Sequence, residues 1–98
     1  MATLQITNRV RDFDTWKATF DTYERFRADH GVRRYRVLRW VDDPERVVIH
    51  LDFDTDEAAQ AFTPRLARIW QTPLSQGHLV DHTPPELLML VADREPQV

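Results

Sequence analysis

Hydrophobic and polar residues alternate from Ala2 to Val10, with Leu4 and Ile6 in one phase and Thr3, Gln5 and Thr7 in the other. That two-residue period is the mark of a strand buried on one face. Past Asp12 the period lengthens. Phe13, Trp16, Phe20, Tyr23 and Arg27 recur at steps of three and four, with Phe26 beside them. This predicts a helix N-capped by Asp12, ended by Gly31, and turned to the core by its aromatic stripe. Val32–Val41 and Val47–Phe53 are β-rich runs around Asp42-Asp43-Pro44-Glu45-Arg46. Asp followed by Pro is turn chemistry, so the pair reads as a hairpin.

The second half is less regular. Asp54 and Glu57 are spaced as a capping box for a short helix, Glu57 to Phe62. Thr63-Pro64 should interrupt it, because proline has no amide hydrogen and clashes with the preceding turn. A second segment then restarts at Pro64 and runs through Leu66, Ile69 and Trp70. Gln71 to Pro85 reads as a long polar connection. Leu87 to Ala92 is apolar in both phases, as a covered strand would be. The tail from Asp93 should be loosely held.

The predicted order is β-α-β-β-α-β, the split βαβ arrangement. The class is α+β and ferredoxin-like: a four-stranded antiparallel sheet with both helices on one face. The opposite face is left bare yet carries Val48, Leu88 and Leu90 (or their alternates), which predicts a partner, here a second copy packed sheet to sheet.

Hairpin register decides which residues face the helices. Pairing Val41 with Val47 across the five-residue loop puts Tyr35, Val37, Val41, Val47, Ile49, Leu51 and Phe53 on one face, marred by Arg39. The other face then holds Arg34, Arg36, Leu38, Trp40, Val48, His50 and Asp52, with Arg36 opposite Asp52. A one-residue slip would mix Arg34 and Arg36 into the apolar face, so the segregated arrangement is expected. It places His50 away from the helices.

At 98 residues the chain has the length of one domain, residues 1–98. A net charge of −3 gives no electrostatic footprint for nucleic acid. Without cysteine there is no disulfide, thiolate metal site or cysteine nucleophile. No signal peptide or membrane-spanning run is visible, which makes the cytoplasm the expected location. Ser75, the sole serine, lies in a polar segment without a nucleophile elbow, and Gly31 and Gly77 cannot form a phosphate loop. His78 and His82 have i, i+4 spacing, but Gly77, Thr83 and the proline pair argue against a helix there. They read as solvated loop histidines or a pH-sensitive segment, with no metal expected.

The Phe13-Asp14-x-Trp16 helix start resembles that of a known group, as do Gly31-x-x-x-Tyr35-Arg36-Val37, the Asp43-Pro44 turn and Phe53-Asp54-x-x-Glu57-Ala58-Ala59. These elements, over about Leu4 to Phe62, resemble the dimeric α+β barrel superfamily, and its small bacterial antibiotic biosynthesis monooxygenase-like members most closely. The resemblance implies two sheets packed face to face and a ligand between each sheet and its helices. Its members include cofactor-free oxygenases, polyketide cyclases, haem-degrading enzymes and proteins without known activity.

Cofactor-free oxygenases of this type tend to combine Asn, Trp and Arg. This chain has Trp70 and many arginines, but Asn8 is its only asparagine. Haem-degrading relatives use an axial histidine on a helix, and here only His30 comes near one.

A planar aromatic or polyketide-like substrate would need a large aromatic beside a donor, and a cation for the developing anion. Tyr23, Tyr35, Arg39 and Trp70 are the candidates, with Arg39 as the cation, and His78 and His82 are further substrate-binding candidates. Monooxygenation and cyclisation, each without a cofactor, both fit this set. A non-catalytic ligand-binding protein and a haem-binding relative are the alternatives.

Overall fold

A computed structural model describes residues 1–72 and 77–96. Strand β1 is Ala2–Val10, and its alternation becomes a burial pattern: Ala2, Leu4, Ile6, Asn8 and Val10 are buried, while Thr3, Gln5 and Thr7 are half-buried. The Asp12 carboxylate accepts from the Thr15 amide at 3.1 Å and caps α1, Phe13–Thr22. The stripe does not form one continuous helix. The chain turns at Tyr23 and resumes as α2, Glu24–Asp29. Gly31 ends it at φ +94°, in the left-handed region where a Cβ would be strained.

Strands β2 (Arg34–Trp40) and β3 (Asp43–Phe53) form the hairpin, two residues out of the expected register. Tyr35 pairs with Leu51, Val37 with Ile49 and Arg39 with Val47, and Trp40 then meets Asp43 across Val41 and Asp42. The turn is therefore tighter than Asp-Pro chemistry suggested. Val41, placed on the apolar face by the sequence, sits fully exposed at its tip. A shift of two keeps every side chain on its face. Val47, Ile49, Leu51 and Phe53 of β3 are accordingly buried, as predicted. Arg36 lies opposite His50 rather than Asp52, and Arg34 takes the place opposite Asp52. His50 is on the face away from the helices, bonded through Nε2 to Gln5 at 3.0 Å and through Nδ1 to Arg36 at 3.2 Å.

Helix α3, Asp56–Trp70, runs through Pro64 without interruption. Its cap is Thr55, which accepts from the Ala58 amide at 3.1 Å; Asp54 instead pairs with Arg33 at 2.9 Å. Thr63 does not cap a second segment. Its hydroxyl donates back to the Ala59 carbonyl at 3.3 Å.

The sheet order is β2-β3-β1 followed by an edge divided in two. β4 (Leu79–His82) pairs with residues 8–10 of β1, and β5 (Glu86–Met89) with residues 2–5. Pro84 and Pro85 cannot donate to the ladder, which explains the break between them. Part of the expected polar connection is thus a strand. The apolar run after Pro85 is an exposed edge, not a covered strand, with Leu87 and Leu88 about two-fifths exposed. Ser75, read from the sequence as part of a polar segment, lies outside the described residues.

The core forms between the sheet and the helices. Leu4, Ile6, Val47, Ile49, Leu51 and Phe53 rise from the sheet to meet Trp16, Ala59 and Phe62. No helix among the described residues is long and apolar enough to cross a membrane.

Candidate functional site

A cavity of about 80 Å³ opens within this layer. At roughly 10–15 Å³ for each water-sized group, it has the room of one substituted ring. Ile6, Asn8, Ile49 and Leu51 form its floor from β1 and β3. Trp16, Phe20, Tyr23 and Arg27 come from α1, the Tyr23 turn and α2, because their spacing puts them on one side of the helical pair. Phe62, Leu66, Ile69 and Trp70 close it from α3. His78 and Leu79 enter from the segment before and into β4.

Two polar side chains in this apolar wall are buried: Asn8 is 4% exposed and Arg27 5%. Among the described residues, Asn8 Oδ1 and Arg27 Nε and Nη2 have no hydrogen-bond partner. The Arg27 guanidinium carbon lies 3.8 Å from the Phe20 ring centroid and 4.7 Å from that of Tyr35. Burial lowers its pKa from the ordinary arginine value, and the Tyr35 hydroxyl offsets part of that effect. His78 is half-buried, with Nε2 3.0 Å from the Thr19 hydroxyl.

Of the six sequence candidates, Tyr23, Trp70 and His78 line the cavity together. Tyr35 stands behind the wall, edge-on to Phe20 at 5.5 Å. Arg39 is exposed and lies over the Phe13 ring at 4.4 Å, apart from the lining. His82 lies in β4, where its backbone pairs with Asn8, so His78 and His82 do not share a helical face. His30 caps the end of α2 and contacts Arg65 through Nδ1 at 2.9 Å. No cluster of three or more metal-ligating side chains occurs among the described residues.

Asn8 and Arg27 were not among the candidates. Their signal was nonetheless in the sequence: each is a polar residue in an apolar phase, Asn8 of the first strand and Arg27 of the aromatic stripe.

No family model matches the chain. No curated protein matches it either. Solved structures do. A variant of SnoaB, a cofactor-independent oxygenase from Streptomyces nogalater, superposes with a TM-score of 0.74 at 14% identity, over 94% of each chain. A protein of unknown function from Nitrosomonas europaea gives 0.74 at 13% identity, over 99% of this chain and 95% of the other. A dimeric ferredoxin-like protein from an uncultured marine organism gives 0.64 at 14% identity, over 95% and 97%.

The fold is ferredoxin-like. At these identities the likeness is one of architecture. Within the ferredoxin-like frame, the cavity between sheet and helices is built from this chain's own side chains, and its chemistry is read from them.

Proposed function

We propose that this protein is a small-molecule pocket protein that oxygenates an electron-rich planar aromatic substrate without a cofactor. The observation that carries this reading is the pairing of an aromatic-walled cavity with buried polar atoms left unpaired, Asn8 Oδ1 and Arg27 Nε and Nη2. Unpaired polar groups in such a place are costly unless a ligand completes them. Its architecture is shared with a cofactor-independent oxygenase.

In chemistry of this type the substrate is its own reductant. A deprotonated phenol or activated ring carbon passes electrons to dioxygen, and the resulting peroxide loses water to leave a carbonyl. The protein's part is to hold the ring flat, exclude water and stabilise the anion. Trp16, Phe20 and Trp70 serve the first two tasks, and Asn8 and Arg27 supply polar contacts. Arg39, over Phe13 and outside the cavity wall, is replaced by Arg27 in the role of cation.

Incubation with one- and two-ring hydroquinones should give oxygen uptake above the rate of autoxidation, and Asn8→Ala should lower it. Quenching of tryptophan fluorescence by the same compounds without oxygen uptake would show a binding protein and remove the catalytic reading.

The reading extends to a homodimer formed through the outer sheet face. That face exposes Leu38 and Leu88, 43% and 40% accessible, around the polar Gln5, His50 and Arg36 group. Light scattering at micromolar concentration should report twice the chain mass of 11.6 kDa. A single 11.6 kDa species would exclude the dimer.

A further inference from the structure

We propose that the cavity takes its ligand as an anion and that Arg27 selects for that charge. This rests on the reading of the cavity as a ligand site, but it does not require turnover. Arg27 is 5% exposed, and a buried guanidinium ordinarily has a carboxylate or several acceptors around it. Here the two rings of Phe20 and Tyr35 take up its flat face, while Nε and Nη2 have no acceptor among the described residues. Asp21 and Glu24 act on it through space, and neither is bonded to it.

Arg27 is also one of the residues that line the apolar, ring-sized space. Two N–H groups of one guanidinium form a fork that matches a carboxylate or an aryl oxyanion. A neutral ligand would leave the charge uncompensated, and a cationic one would repel it. The complementary ligand is a planar aromatic with one negatively charged oxygen group at its edge.

Benzoate and benzamide test this, since they share shape and differ in charge at neutral pH. Titration of the full chain, read by calorimetry or tryptophan fluorescence, should favour benzoate by roughly ten- to a hundredfold, as a charge-assisted pair predicts. Arg27→Met should abolish that preference by weakening benzoate far more than benzamide, and Arg27→Lys should restore part of it. Thermal unfolding of the free variants serves as the folding control. If Arg27→Met does not fold, the wild-type ratio of the two ligands decides alone. Equal binding of both by the wild-type protein would overturn the charge assignment and leave the cavity standing as a ligand site. Binding of neither would overturn the cavity reading and this inference with it.

Discussion

Phe62→Ala should lower the stability of the protein by about 3–5 kcal/mol, the usual cost of truncating a buried phenylalanine. Phe62 is 1% exposed. Its ring meets Phe53 at 5.4 Å and Phe26 at 6.0 Å, so it joins α3 to both β3 and α2. It also lines the cavity, and the space left by its removal would merge with that cavity instead of being filled by collapse. Domains of this size hold only about 5–15 kcal/mol in total. Melting should therefore fall by roughly 12–40 °C, at about 4–8 °C per kcal/mol. Urea unfolding with an unchanged slope checks the result. Val41→Ala is the control. Val41 sits fully exposed at the hairpin turn, and its loss should stay within about 0.5 kcal/mol. A Phe62→Ala variant as stable as that control would show that the aromatic junction under α3 does not carry the core.

The junction explains how a short chain supports an open cavity. Phe53 and Phe62 pack on one side of it, and Phe13, Trp16 and Phe20 form a chain of tilted rings on the other, with centroids 5.9 and 5.1 Å apart. Rings supply large contact areas with few rotatable bonds, so the walls stay in place without filling the centre. The same feature makes the polar exceptions informative. A lysine or arginine on apolar surface usually keeps its head within reach of water, and the exposed Arg39 does so with its guanidinium over the Phe13 ring. Arg27 does not follow this pattern, because its head is inside.

Much of this architecture is legible in the residues themselves. The alternation in β1 and the three-four spacing of α1 survive into the structure because both periods report which face is buried. The hairpin faces are also legible, since any even shift preserves them. Its register is not. Tight two-residue turns usually announce themselves by glycine or asparagine at positive φ, and here no described residue but Gly31 has a positive φ. Val41-Asp42 therefore carries no such mark, while Asp43-Pro44 beside it carries the different signal of a type I turn.

The last strand misleads for another reason. An apolar run without alternation is expected where both faces are covered, yet Leu87 and Leu88 lie exposed on an edge. The cavity was half legible. Tyr23 and Trp70 followed from helix spacing, but the role of cation went to Arg39, on an edge strand with open space around it. Arg27 lay one step along the aromatic stripe, and Asn8 one step beyond Ile6 in the inward phase. Both interrupt an apolar period, which is the sign that carries furthest in this chain.

Pro64→Ala should stabilise the protein by about 2 kcal/mol. The sequence suggests a break at Thr63-Pro64, whereas α3 continues from Asp56 to Trp70 with Pro64 inside it. In a helix interior proline is about 3 kcal/mol less favourable than alanine, because it cannot donate to the carbonyl four residues back and its ring crowds that turn. Here that carbonyl belongs to Gln60, and both Gln60 and Pro64 are exposed, so water takes up the unpaired oxygen. Proline returns about 0.4–1 kcal/mol by restricting the unfolded chain, which leaves a net gain near 2 kcal/mol for alanine. Melting should rise by roughly 8–16 °C. The effect reaches the cavity, since Leu66, Ile69 and Trp70 follow within two turns and line it. Relaxing the turn at Gln60 should shift tryptophan emission as well as the melting point. A variant whose stability is unchanged or reduced would mean that proline is favoured at this position, as it is at the first turn of a new helix, and would restore the two-segment reading of residues 57–70.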